Sequence, residues 1–81
     1  AGRLTRTFEF ADFPAAFAFM TCVALHAEQL NHHPDWRNSY TRVEISLITH
    51  DLGALSTLDL ELAQRIDEAA ANTATTGGET R

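Results

Sequence analysis

The sequence contains no lysine, and this absence removes several kinds of chemistry. All six basic residues are arginines, and they are scattered along the 81-residue chain. Schiff-base catalysis and P-loop phosphate binding both need a lysine ammonium group. The net charge of −5 and the lack of a basic stripe also argue against direct nucleic-acid binding. Any catalysis must therefore depend on carboxylates, imidazoles and arginines.

Cysteine and long apolar runs are also scarce. The one cysteine, Cys22, cannot form an intramolecular disulfide or supply the thiolate pairs of structural zinc sites, and we interpret it as a small buried or half-buried hydrophobe and not as a nucleophile. No apolar run is long enough to cross a bilayer, and the N-terminus lacks the basic-then-apolar order of a signal peptide. We therefore expect a soluble, cytoplasmic protein without membrane contact.

The composition predicts one small globular domain. The hydrophobic fraction is 44% and the charged fraction is 21%, which is ordinary for a folded chain. A chain this short leaves about 40% of its unfolded surface exposed after folding, so contacts between subunits would stabilise it. We predict a single domain over residues 1–71 and a flexible tail over residues 72–81, because the tail lacks large apolar groups.

The first third of the chain predicts a strand followed by a helix. Residues 3–10 alternate apolar and polar, interrupted only by Arg6, which indicates a half-buried strand. Asp12 and Pro14 then have the positions of a helix N-cap and first turn. The helix should end near residue 31, because a residue before proline disfavours the helical conformation. The predicted buried stripe consists of Phe13, Ala16, Phe17, Met20, Val23, Ala24, Ala27 and Leu30.

The second half predicts two strands and another helix. Alternation resumes at Trp36, and its phase slips by one residue near Thr41, which indicates either a bulge or, as we favour, a hairpin turn. Ser56 and Asp59 have the spacing of a capping box at the start of the second helix. Its predicted buried residues are Leu62, Ala63, Ile66 and Ala70. This order predicts an α+β fold, a two-layer antiparallel sheet with helices packed on one face.

Imidazoles, a carboxylate and an indole are concentrated at the predicted end of the first helix. His32 and His33 lie between Glu28 and Trp36. If the helix continued that far, Glu28 would stack on His32 four residues later, and a carboxylate there raises the pKa of an imidazole and fixes its tautomer. These features suit general acid–base chemistry. His26 lies off the apolar stripe and is expected at the surface.

Other interpretations of the same residues remain open. The adjacent histidines could be solvated residues favoured by the helix dipole. Trp36 could belong to the core, and Asp59 could serve only to cap the second helix. His32, His33 and His50 could bind zinc, although neighbouring residues beside a proline turn rarely ligate one ion. A Ser-His-Asp hydrolase is disfavoured, because no nucleophile elbow is present.

One spacing pattern resembles the signature of pterin-4a-carbinolamine dehydratases. It consists of Glu28, three residues, His32-His33-Pro34, five residues, Tyr40, nine residues, His50, eight residues and Asp59. The similarity extends over about residues 7–66. The family usually has a further segment before the first strand here, which bears on tetramer contacts, and many members have a polar residue in place of Leu58.

The resemblance implies an activity and a set of roles. Family members remove water from a 4a-hydroxy-tetrahydropterin and use no metal or organic cofactor. By resemblance, His32, His33 and His50 are the acid–base and substrate-orienting residues. Glu28 and Asp59 would be supporting carboxylates, and Trp36 would form a wall beside the pterin ring.

The family also suggests partners. A homodimer or homotetramer is expected, as is a pathway link to aromatic amino-acid hydroxylases through tetrahydrobiopterin recycling. An alternative function is that of a protein-interaction module, because animal relatives act as dimerisation cofactors of a homeodomain transcription factor. An inactive, purely structural relative is a third alternative.

Overall fold

The computed structural model describes residues 3–49 and 54–73. Its elements are β1 (Leu4–Glu9), α1 (Phe13–Leu30), β2 (Asp35–Ser39), β3 (Arg42–Leu47) and α2 (Thr57–Ala71). The strands form one antiparallel sheet in the order β1-β3-β2. The helices bury one face of this sheet in a single core. The predicted two-layer α+β fold is confirmed.

The phase slip in the sequence corresponds to a hairpin. Ser39 pairs with Arg42, so only Tyr40 and Thr41 connect β2 to β3. Tyr40 has a φ of 53°, which is uncommon for a bulky residue. Asn38 holds the turn, since its side-chain amide donates to the carbonyls of Tyr40 at 3.0 Å and Arg42 at 2.9 Å.

The two faces of the sheet differ sharply in polarity. Inward residues of β1 and β3 are buried against the helices; these are Phe8, Val43, Ile45 and Leu47. The outer face has cross-strand ion pairs, including Arg42 with Glu9 at 3.0 Å. Arg6 interrupts the apolar pattern because it lies on the helix side at the sheet edge. There it pairs with Asp67 of α2, and its guanidinium lies 4.9 Å from the ring centroid of Phe8.

Helix α1 has the predicted start but a different buried stripe. The Asp12 carboxylate accepts the Ala15 backbone N–H at 2.8 Å and so caps the helix. The prediction was wrong for Phe13 and Phe17, which are 46% and 56% exposed, and it omitted Phe19, which is fully buried. The exposed position of Ala24 also departs from the prediction. The buried residues of α1 are Ala16, Phe19, Val23 and Ala27.

Helix α2 confirms most of its predicted stripe. Leu62 and Ile66 are buried, while Ala63 and Ala70 are partly buried against the core. Neither helix in the described residues is long and apolar enough to span a membrane. Of the predicted tail, Asn72 caps α2 and residues 74–81 lie outside the described part of the chain.

His26 is half-buried rather than a free surface residue. Its Nδ1 lies 3.3 Å from Nη1 of Arg65 on α2. The same guanidinium donates to Gln29 at 3.1 Å and to Glu61 at 3.1 Å. His26 therefore belongs to the contact between the helices and is separate from His32 and His33 at the end of α1.

Candidate active site

Four chain segments meet at one end of the sheet. They are the end of α1, the residues before β2, the residues after β3 and the start of α2. The side chains of His32, Thr49, Ser56 and Asp59 are hydrogen-bonded to one another there. The hairpin with Tyr40 lies at the opposite ends of β2 and β3, so Tyr40 does not belong to this cluster.

The end of α1 directs His32 away from Glu28. Asn31 adopts the left-handed conformation, with φ 51° and ψ 44°. The Asn31 N–H donates to the Glu28 carbonyl at 3.1 Å and the His32 N–H donates to the Ala27 carbonyl at 3.0 Å, which together form a Schellman motif. The chain turns before His32, so the condition for stacking Glu28 on His32, a helix that continues to residue 32, is not met. Glu28 instead lies 3.1 Å from His33 Nε2.

His32 pairs with Asp59, which lies on the other helix. The Nε2 atom of His32 is 2.6 Å from Oδ1 of Asp59. The side chain of His32 is 12% exposed and that of Asp59 is 0% exposed. A short contact between a nearly buried imidazole and a buried carboxylate holds the ring in one orientation, because few other partners are accessible to either group.

The second oxygen of Asp59 accepts hydrogen bonds from the start of α2 and from the residues after β3. Oδ2 accepts the Thr49 hydroxyl at 2.7 Å and the Ser56 backbone N–H at 2.9 Å. Asp59 thus caps the helix and also contacts the histidine, so capping alone does not account for its hydrogen bonds. The capping-box spacing had pointed to Ser56, but nothing in the sequence had pointed to Thr49.

Asp59 is an ionised carboxylate despite its burial. Burial alone raises the pKa of Asp59, because it removes water from the charged form. Hydrogen bonds from His32, Thr49 and the Ser56 backbone outweigh this effect, and the pKa of Asp59 is lowered below its usual value. The site therefore holds a fixed negative charge beside His32 at neutral pH.

This lowered pKa predicts a loss of stability in acid. The carboxylate binds its proton more weakly in the folded than in the unfolded state, so its contribution is complete above the unfolded pKa and is lost as the pH falls through the folded pKa. Urea unfolding measured from about pH 5 downward should show this decline, since the unfolded pKa of aspartate is about 3.9 and the folded pKa lies below it. The pKa of exposed Glu9 is also lowered, chiefly by its hydrogen bond from Arg42. Asp59→Asn should flatten the decline without removing it.

The other predicted site residues are placed differently. His33 and Glu28 form an exposed pair, with side chains 60% and 82% accessible. Trp36 is half-buried and packs against the core. His50 lies outside the described residues. The preceding residue, Thr49, belongs to the cluster, and the Thr49 backbone N–H donates to the Ala54 carbonyl at 3.0 Å.

In the described part of the chain, neither a metal site nor the apolar cleft of the fold competes with His32 as the candidate site. Within residues 3–49 and 54–73, no group of three or more histidine, cysteine, aspartate or glutamate side chains is arranged to hold a metal ion. An apolar cleft of about 230 Å³ lies between β1 and α2, away from His32. It is lined by residues that include Leu4, Phe8, Leu47 and Ile66. The polar chemistry lies at His32, so we locate the candidate site there and not in the apolar cleft.

The fold and site together define a small α+β protein with an imidazole–carboxylate pair where two helix ends meet. The family of pterin 4 alpha carbinolamine dehydratases matches residues 1–69. The chain belongs to this family, whose members are named as dehydratases, a class of lyase.

Relatives and solved structures agree with this membership. A protein of Synechococcus sp. is 63% identical over 67 residues, which are 83% of this chain and 72% of the relative. One from Rhizobium leguminosarum is 52% identical over 71 residues, 88% of this chain and 70% of the relative. Both carry the provisional name pterin-4-alpha-carbinolamine dehydratase.

Two crystallised or otherwise solved proteins share the fold. A transcriptional coactivator/pterin dehydratase from Brucella melitensis has a TM-score of 0.82 and 44% identity, covering 84% of this chain and 72% of its own. A pterin dehydratase-like protein, identified as a RuBisCO assembly factor in the alpha-carboxysome, has a TM-score of 0.73 and 26% identity, covering 84% and 79%.

Proposed function

We propose that this chain dehydrates 4a-hydroxy-tetrahydropterin to quinonoid dihydropterin by histidine acid–base catalysis. The observation that carries the proposal is the buried His32–Asp59 pair at 2.6 Å. In the reaction the bond from C4a to its hydroxyl oxygen breaks and that oxygen gains a proton, so water leaves. A ring nitrogen loses a proton as the new double bond forms. One acid and one base are needed, and imidazoles with a pKa near neutrality serve as either.

We assign the roles by combining family resemblance with position. His32, His33 and His50 deliver and accept protons and orient the pterin, while Glu28 and Asp59 support His33 and His32. The contacts of Glu28 with His33 and of Asp59 with His32 support this division. Thr49, directly before His50 in the chain, is bonded to Asp59, which supports the inclusion of His50.

Trp36 is the proposed wall beside the pterin ring. It is half-buried at the start of β2, four residues after His32, and packs against the core. A fixed aromatic face beside a polar site suits a flat heterocycle. The product would return to the tetrahydrobiopterin pool used by aromatic amino-acid hydroxylases. The proposed reaction takes place in the cytoplasm without a metal or organic cofactor.

The proposal is tested by an assay of carbinolamine dehydration. The purified chain should accelerate formation of quinonoid dihydropterin in the presence of a metal chelator. Replacing His32 and His50 together with alanine should remove this activity, because each acid–base group contributes about 10²- to 10⁴-fold.

His26, which lies outside the proposed active site, provides a matched control. His26→Ala removes an imidazole from the contact with Arg65, so its turnover should stay within a few-fold of the original chain. Undiminished turnover in the double variant would remove His32 and His50 from the mechanism. No acceleration by the original chain would reject the dehydratase proposal itself.

A second candidate function is protein interaction. Two solved relatives are described as a transcriptional coactivator/pterin dehydratase and as a RuBisCO assembly factor. In this chain α1 exposes Phe13 and Phe17, whose ring centroids lie 5.9 Å apart. A pull-down with the original chain and with Phe13→Ser/Phe17→Ser would test this function. Recovery of a partner that the variant loses, with no dehydratase activity, would favour interaction over catalysis.

A homodimer or homotetramer is part of the proposal. The small core and the exposed apolar side chains of α1 support self-association. Light scattering of the purified chain measures its mass directly, and a monomer at micromolar concentration would contradict this part.

A further inference from the structure

The hydrogen bonds around Asp59 have a definite direction. The Ser56 backbone N–H can only donate, and it points to Oδ2 of Asp59 at 2.9 Å. The Thr49 hydroxyl donates to the same Oδ2 at 2.7 Å, and its oxygen lies 2.6 Å from the Ser56 hydroxyl. The Ser56 hydroxyl is itself 3.4 Å from Oδ2. Oδ2 is therefore surrounded by donors.

This arrangement fixes the location of the protons in the cluster. Thr49 has one hydroxyl proton, which it gives to Asp59, so its oxygen accepts the Ser56 hydroxyl proton. A proton on Oδ2 would clash with both donors, and the lowered pKa of Asp59 keeps the carboxylate ionised at neutral pH, so it accepts at both oxygens. Oδ1 lies 2.6 Å from His32 Nε2, so this nitrogen must be the one that carries hydrogen.

We propose that the donors at Asp59 Oδ2 hold His32 as the Nε2–H tautomer and so make Nδ1 the nitrogen that exchanges protons with the pterin. Thr49 is then a positioning residue that acts through Asp59. The role of Nδ1 in catalysis rests on the proposed function, whereas the tautomer does not. Among the described residues, no hydrogen bond of the His32 side chain involves Nδ1.

The proposal is tested first by long-range ¹H–¹⁵N NMR of the labelled, ligand-free chain from acid to alkaline pH. When its ring is neutral, His32 should show the pattern of cross-peaks that is typical of hydrogen on Nε2. His33, whose pair with Glu28 is exposed, is the internal comparison for a histidine without a buried partner. A predominantly Nδ1–H pattern for His32 would overturn the proposal.

Asp59→Asn provides the sharpest variant. The donors from Thr49 and Ser56 require an acceptor at the Oδ2 position, so the amide oxygen should lie there and the amide nitrogen should face His32. That nitrogen donates, and Nε2 of His32 must then accept. The variant should therefore change His32 to the Nδ1–H tautomer. In serine proteases the same Asp→Asn change beside a catalytic histidine keeps the geometry but lowers turnover, because the histidine adopts the wrong tautomer. Retention of the Nε2–H tautomer would overturn the assigned role of the donors.

Thr49 is tested by removing its hydroxyl alone. In Thr49→Val, the ¹³C-detected titration of the Asp59 carboxyl should move upward by about one pH unit, since a hydrogen bond to a charged group is lost. Thr49→Ser should restore the original titration. Thr21→Val is the control, because Thr21 donates only to the Phe17 carbonyl on α1. An unmoved titration in folded Thr49→Val would overturn the role of Thr49.

The outcomes separate this inference from the proposed function. All three measurements use the free protein, so they do not depend on turnover. The expected tautomer in a chain without dehydratase activity would reject the function and keep the inference. An active chain with His32 in the Nδ1–H form would keep the proposed function and reject the inference. If Thr49→Val does not fold, the first two measurements still decide.

Discussion

Asp59→Ala is expected to cost about 3 kcal/mol or more of the free energy of unfolding. The substitution removes the acceptor for His32, Thr49 and the Ser56 backbone N–H in a site where Asp59 is 0% exposed. A buried donor without an acceptor costs about 1–3 kcal/mol, and the loss of one partner of a buried charged pair costs about 3–5 kcal/mol. The total free energy of unfolding of a chain of this size is only about 4–12 kcal/mol. Urea unfolding at pH 7 measures the loss.

Asp67→Ala is the matched control on the same helix. Asp67 forms an exposed ion pair with Arg6, and surface pairs contribute about 0–1 kcal/mol. Asp59→Asn should be intermediate, because its amide oxygen still accepts from Thr49 and Ser56. Equal losses for Asp59→Ala and Asp67→Ala would show that the buried cluster contributes nothing special to the fold.

Phe19→Ala should destabilise the chain by about 3–5 kcal/mol, the range for large-to-small changes in a core. Phe19 is fully buried, and its ring centroid lies 5.1 Å from that of Phe8 and 4.8 Å from that of Phe10. Its removal leaves a cavity between α1 and the sheet. A loss of this size should lower the midpoint of thermal denaturation by more than about 10 °C, as circular dichroism would show.

Phe17→Ala makes the same chemical change two residues earlier. Phe17 is 56% exposed and contacts the ring of Phe13, so its loss should be well under half that of Phe19→Ala. A larger loss for Phe17→Ala would mean that α1 is rotated and that the sequence-based stripe was correct after all. The measurement therefore decides between the two orientations of the helix.

The strands and helix starts were predictable because local chemistry determines them. Asp12 caps α1, and the phase slip near Thr41 marks the hairpin. The orientation of α1 was not predictable in the same way. Apolar residues occupy nearly every side of this helix, so their spacing is compatible with more than one buried face. Only packing against Phe8 of β1 and Phe10 just after it favours Phe19 over Phe17.

The candidate site was predicted as a set of residues but not as a geometry. The stacking of Glu28 on His32 was conditional on a helix that continued past its predicted end near residue 31. Asn31 ends α1 in a left-handed turn, and asparagine is one of the few residues that favour this conformation. That signal was present in the sequence. The contact of His32 with Asp59, 27 residues later, depends on the packing of α1 beside α2 and has no local signal.

The most direct test of the central claim is a crystal structure of the chain with a bound dihydropterin. The account predicts that the pterin ring lies beside Trp36, within hydrogen-bonding distance of His32 and His50, with Asp59 still paired to His32. A pterin bound in the apolar cleft between β1 and α2, away from His32, would contradict it.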